Sequence, residues 1–94
     1  ETAVRNDIPI ITIVSNNSTM AIETKRLIGS HAKFGTRDVG GNYADLARSL
    51  GGWAERVEDP NEVGPAILRA RAVTEGGRPA LLEFITSAET ELNR

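Results

Sequence analysis

The sequence predicts an α/β fold, a three-layer parallel sheet with helices on both sides, and three observations carry that prediction. Two long apolar runs, IPIITIVSNN at residues 8–17 and PALLEFIT at 79–86, lack the in-out alternation of a half-exposed strand. Segments with helical spacing and legible caps lie between them, and a short β-branched and aromatic run, WAERV, separates two of those helices. Strands that alternate with helices in this way call for parallel pairing through helical crossovers.

Residues 1–5, ETAVR, contain good helix formers followed by Asn6-Asp7, which reads as the last turn of a helix entered before Glu1. The run at 8–17 is then expected to be a strand buried on both faces, with Pro9 at its start, where a missing N–H is tolerated. It exits into Ser15-Asn16-Asn17. Sheets of this type place ligands just beyond the carboxyl ends of their strands, so an amide pair at that exit is well placed to bind something polar.

Asn17 or Ser18 is positioned to cap a short helix to about Ile28, with Met20, Ile22 and Leu27 apolar and Gly29 ending it. Residues 30–41, SHAKFGTRDVGG, carry three glycines and scattered charge and are expected to form a mobile or functional loop. Asn42 caps the next helix, whose apolar stripe is Tyr43, Leu46, Ala47 and Leu50, and Gly51-Gly52 stop it. Residues 53–57 form a strand. Asp59-Pro60-Asn61-Glu62 then supplies an N-cap acceptor, Pro at N1 and Glu at N3. The helix that follows should bury Val63, Ala66, Ile67, Ala70 and Val73 before Gly76-Gly77, and residues 79–86 make the last strand.

With 94 residues the chain is at most one domain with a modest core. Its 39% hydrophobic content excludes a disordered chain, and 4% aromatics leave the core to aliphatic side chains. Eleven basic and thirteen acidic side chains, net −2, form no basic block able to neutralise a row of phosphates, so nucleic acid is not the expected partner. No cysteine is present, which removes disulfides, thiolate zinc sites and thiol nucleophiles and fits a reducing cytoplasm. No apolar run reaches the length of a membrane span.

The sharpest chemical signal is Asn16-Asn17. A carboxamide oxygen is a hard neutral donor suited to Mg²⁺ or Ca²⁺, and the Thr19 backbone carbonyl two residues on can join it in an oxygen shell. The competing reading is turn and cap chemistry at a strand exit. His31 lies in the glycine-rich segment without a partner set for a triad or a zinc site, and Asp38 and Glu23 have no apolar pocket to raise a pKa. Gly40-Gly41 fits neither G-x-G-x-x-G nor the Walker pattern.

ETAVRNDIPIITIVSNN, a helix end, an x-x-I-P strand and a terminal Asn-Asn, resembles the second half of the thiamine-diphosphate fingerprint. The remainder, YADLARSLGGWAERVEDPNEVGPAILRARAVTEGGRPALLEFIT, is similar to the C-terminal diphosphate-binding domain of the acetolactate synthase and pyruvate decarboxylase group, through its LGG turn, D-P-x-E helix start and G-x-P-A-L-L-E strand. The resemblance covers nearly the whole chain. It implies a partial thiamine-diphosphate-binding fold over residues 1–94, with thiamine diphosphate and Mg²⁺ as cofactors. In that family the fingerprint opens with Gly-Asp-Gly roughly two dozen residues before the Asn pair, and its Asp is a metal ligand. Counting back from Asn16 puts that motif before Glu1, so a C-terminal fragment of a longer enzyme is expected.

Carried over by position, the resemblance implies that Asn17 and the Thr19 carbonyl bind the metal and that Asn17, Ser18, Thr19 and Met20 contact the cofactor. Many members have a glycine and an aromatic soon after the pair, whereas Ser18-Thr19-Met20-Ala21 follows here, which bears on the substrate more than on the cofactor. The implied parent reaction is decarboxylation of a 2-oxo acid with carboligation, in a homodimer or homotetramer whose neighbouring subunit supplies an activating glutamate. A simple decarboxylase or oxidase with the same cofactor shares all of these residues. A non-catalytic α/β module that associates through an open sheet edge is the alternative from a different class.

Overall fold

The computed structural model describes residues 1–89; the end of the charged tail, 90–94, lies outside the described residues. The chain folds as two compact units, one of residues 1–16 and 42–85, the other of 17–41 with the segment from Thr86 onward.

The first unit holds the sheet. Its elements are α1 (Thr2–Arg5), β1 (Ile11–Asn16), α3 (Tyr43–Ser49), β2 (Trp53–Val57), α4 (Val63–Glu75) and β3 (Ala80–Ile85). The second unit contributes α2 (Ile28–Phe34). The strand order is β1-β3-β2, and both pairs are parallel. The two long apolar runs therefore pair in parallel as expected, but over Ile11–Asn16 and Ala80–Ile85, with Ile11 opposite Ala80 and Asn16 opposite Ile85.

Side-chain alternation along β3 separates the two faces. Ala80 and Leu82 point to α4, where they pack with Val57, Ala66 and Ala70, and Trp53, Val63, Val73 and Phe84 surround that cluster. Alanines at the two buried positions of α4 let the helix backbone approach the sheet closely, and burial of Leu82 contributes about 1.5–3 kcal/mol. Glu83 faces the other way, toward the start of α3. Helices on opposite faces of a parallel sheet make the predicted three-layer α/β arrangement.

The expectation that residues 8–17 form a strand buried on both faces is overturned. β1 begins only at Ile11, and Ile10, Ile11 and Ile13 are 48%, 39% and 54% exposed. The cause is position: β1 pairs with β3 alone and forms an edge of the sheet, while α4 lies mainly over β3 and β2. The two-sided central strand is β3. An unbroken apolar run marks a strand whose faces avoid water, but it does not say whether the covering atoms belong to the same stretch of chain.

α3 begins where expected, with Asn42 Oδ1 accepting the Asp45 N–H at 2.9 Å. Its buried face is set by Ala44, not by Leu46 and Leu50, which are exposed. Asp59 caps the next helix by accepting the Asn61 N–H, although its first turn, Pro60–Glu62, is a 3-10 turn that runs into α4. Ile67, assigned to the buried stripe of α4, is 39% exposed.

The largest difference lies in the second unit. The helix expected up to about Ile28 does not form; residues 18–27 make an isolated bridge at Thr19 and then turns. Ser18 adopts a left-handed φ of 55°, and Thr19 pairs antiparallel with Asp38, so the backbone is committed to an extended stretch where a helix would begin. The helix comes later, as α2, with Gly29 inside it. Gly35, at φ 62°, terminates α2 by donating its N–H to the His31 carbonyl. Of the loop expected at 30–41, the first residues are thus helical and the stretch from Gly35 onward is not.

Candidate functional site

Strand β1 ends at Asn16, and the two adjacent asparagines do different work. Asn16 is buried, and its Nδ2 donates to Glu83 Oε2 at 2.7 Å. Asn17 lies in the second unit, where its Oδ1 accepts the Thr19 N–H at 3.2 Å in an Asx turn. Met20 N–H donates to the Arg37 carbonyl and Val39 N–H to the Ser18 carbonyl, which leaves Thr19 and Asp38 as the pair with no hydrogen bond between them. In such a pair each residue turns its own N–H and C=O away from its partner. The Thr19 carbonyl is therefore on the edge where its N–H meets the Asn17 carboxamide.

Asn17, Thr19, Met20 and Glu23 line one hollow of about 300 Å³. Three of the four residues expected to contact a cofactor come together there; Ser18 does not line it, its carbonyl being used in the Val39 bond. The Thr19 hydroxyl donates to the Arg37 carbonyl, which pins the residue from its other side.

Asn17 and Thr19 offer a carboxamide and a carbonyl oxygen, neutral hard donors of the type Mg²⁺ accepts. They fit as part of an octahedral shell and cannot complete one. No group of three or more His, Cys, Asp or Glu side chains able to hold a metal exists among the described residues.

The other singled-out side chains are accounted for structurally. His31 sits on α2, and its Nδ1 accepts the Arg37 N–H at 3.3 Å. Glu23 and Asp38 lie near Arg26 and Arg37 at 3.7 and 3.9 Å. Glu55 is held below the usual carboxylate range by its hydrogen bond from Arg69, an exposed pairing between β2 and α4 that defines no cavity.

The residue that sequence reasoning missed is Glu83. It is 0% exposed in the middle of the central strand, and its Oε1 accepts the Ala44 N–H at 3.1 Å while Arg56 Nη1 lies 3.6 Å from Oε2. Burial pushes its carboxyl up, but the Asn16 amide, the Ala44 and Tyr43 backbone N–H groups and the Arg56 charge more than offset this and hold it below the ordinary value. A signal was present: one acid interrupts the apolar run PALLEFIT.

Comparison with known proteins adds identity to this geometry. Residues 1–84 match the family model of the thiamine pyrophosphate enzyme, C-terminal TPP binding domain. The chain belongs to this family. Among curated proteins, this TPP-binding domain is 28% identical over 88 residues to a probable acetolactate synthase of Mycobacterium bovis (strain ATCC BAA-935 / AF2122/97). It is equally similar to the acetolactate synthase large subunit IlvG of Mycobacterium tuberculosis (strain ATCC 25618 / H37Rv). Each match covers 92% of this chain, and the chain spans only 16% of the length of either relative. No helix among the described residues of the TPP-binding domain is long and apolar enough to cross a membrane.

Proposed function

We propose that this chain is the diphosphate-side, C-terminal part of a thiamine-diphosphate- and Mg²⁺-dependent enzyme that decarboxylates a 2-oxo acid and joins the remaining carbons to a second carbonyl compound, as acetolactate synthase does. The observation that carries the proposal is the Asn17 and Thr19 oxygen pair on the rim of one hollow, within a chain of the TPP-binding family. When bound, thiamine diphosphate supplies the electron sink for loss of CO₂. This chain's share is binding and orientation: Asn17 Oδ1 and the Thr19 carbonyl would hold the metal, and Met20, which lines the same hollow, would contact the cofactor. Ser18 contributes through its backbone, which sets the left-handed bend between the two ligands.

Two oxygens are too few for Mg²⁺, so the remaining ligands come from the diphosphate, from water and from an upstream acidic residue of the longer polypeptide. The active enzyme is a cytoplasmic homodimer or homotetramer in which a neighbouring subunit supplies the activating glutamate. The test uses the full-length protein with pyruvate, thiamine diphosphate and Mg²⁺, followed by identification of the products. Acetolactate with one CO₂ released per two pyruvates supports carboligation. Acetaldehyde alone, or acetate formed only with an added oxidant, replaces the proposal with a simple decarboxylase or an oxidase. No cofactor-dependent turnover of any 2-oxo acid removes it.

A further inference from the structure

Asn16 and Glu83 are the buried polar residues among the described part of the chain, and they are bonded to each other. A carboxylate in the central strand of a small sheet is costly unless its oxygens are filled, and an aliphatic side chain there would stabilise the fold at less risk. Its retention calls for a use.

The contacts of Glu83 show what it fixes. The parallel register sets Glu83 opposite Val14 on β1 and Arg56 on β2, so Asn16, two residues beyond Val14, lies on the same face and within diagonal reach. One oxygen takes the Asn16 amide, and the other takes the Ala44 N–H from the first turn of α3. Arg56 approaches from the other neighbouring strand. A single carboxylate thus ties the last residue of β1 to the centre of the sheet, at the carboxyl end, where this fold class binds its ligands.

The geometry points to Glu83 as a positioning residue for the metal ligand Asn17, acting through the Asn16 carboxamide. Asn17 is the next residue in the chain, so the Asn16 side-chain bond holds the residue from which the Asn17 turn starts. Immediately afterwards Ser18 takes its left-handed φ of 55° and Asn17 Oδ1 closes its Asx turn on Thr19. Residues that orient metal ligands from behind typically change metal affinity about 10–100-fold when altered. This inference rests on the reading of Asn17 as a metal ligand.

The experiment measures thiamine diphosphate and Mg²⁺ affinity by calorimetric titration in the full-length protein, for the wild type, Glu83→Gln, Asn16→Asp and the double variant. Glu83→Gln removes one of the two acceptors, so that turning either carboxamide over to avoid two opposed donors gives up the Ala44 bond or the present Asn16 contacts, and Asn16→Asp sets two carboxylates together. The double variant restores one donor and one acceptor with their roles exchanged, while the carboxamide oxygen introduced by Glu83→Gln still accepts from the Ala44 N–H. The expected result is a loss of about tenfold or more in each single variant and recovery of most of it in the double variant.

Single variants that bind as the wild type does, or a double variant no better than the weaker single one, overturn the inference while leaving the Asn17 reading in place. A wild type that binds no cofactor removes both. If Glu83→Gln does not fold, Asn16→Ala decides in its stead, because it leaves the carboxylate its Ala44, Tyr43 and Arg56 partners: tenfold weaker cofactor binding supports the inference, and unchanged binding overturns it.

Discussion

The Asn16 carboxamide nitrogen stands 2.7 Å from Glu83 Oε2, so the exposed edge strand β1 is fastened to the buried central strand β3 by a side chain as well as by its backbone ladder. The Glu83 carboxyl titrates below its ordinary value of 4.5. A group whose pKa is depressed by folding contributes stability that is fully present above the unfolded pKa and is lost as pH falls through the folded pKa. Thermal melts should therefore show Tm falling with acid below about pH 4.5. Glu83→Gln should flatten that dependence, and an identical acid slope in the variant would remove Glu83 as its source.

Asn17→Ala should weaken Mg²⁺-dependent cofactor binding in the full-length protein with little loss of Tm, because among the described residues its side chain bonds within its own turn. Asn16→Ala should lower both, since it removes a donor from a buried carboxylate at a cost of about 1–3 kcal/mol. Cofactor titration beside melting separates the two. Unchanged cofactor affinity for Asn17→Ala would falsify the metal-ligand assignment.

Gly51 and Gly77 share a φ of 87°, which disfavours any side chain, but their surroundings differ. A Cβ at Gly51 would meet Val4 Cγ1 at 3.2 Å, while one at Gly77 meets nothing within 4 Å. Gly77→Ala should cost about 1–2 kcal/mol from the backbone alone, and Gly51→Ala should cost more. Denaturant melts that rank them in the opposite order would show that α1 does not pack on the Gly51 turn in solution.

The 94 residues alone should show no thiamine-diphosphate-dependent turnover of pyruvate. On the proposed reading Asn17 and Thr19 supply two oxygens, and the described residues hold no cluster of acids or histidines to complete the shell. CO₂ release from pyruvate by the purified segment would contradict this division of the site.

Backbone amides at residues 36–41 should exchange with solvent much faster than those of β3. Beyond Gly35 the Arg37, Asp38 and Val39 amides donate to His31 Nδ1 and to the Gly35 and Ser18 carbonyls outside any continuous ladder, whereas β3 is paired on both sides. Equal protection in the absence of cofactor would refute the difference.

By itself the sequence determined the α/β class, the caps at Asn42 and Asp59, the extent of β2, the position of β3, and the family, because propensity, capping and turn chemistry act over a few residues. The Asn pair at the β1 exit was legible for the same reason. Only the tertiary structure decided which strand is central, since an edge strand and a buried one carry the same apolar letters and differ in their neighbours. It also decided that Thr19 pairs with Asp38 instead of starting a helix, a pairing with a distant stretch of chain that overrides a local preference. Above all it separated the asparagines: Asn16 turns inward to a carboxylate 67 positions away, and Asn17 turns to its own backbone. Contacts across that distance depend on strand register, and register is set when the sheet assembles, not by the residues on either side of the pair.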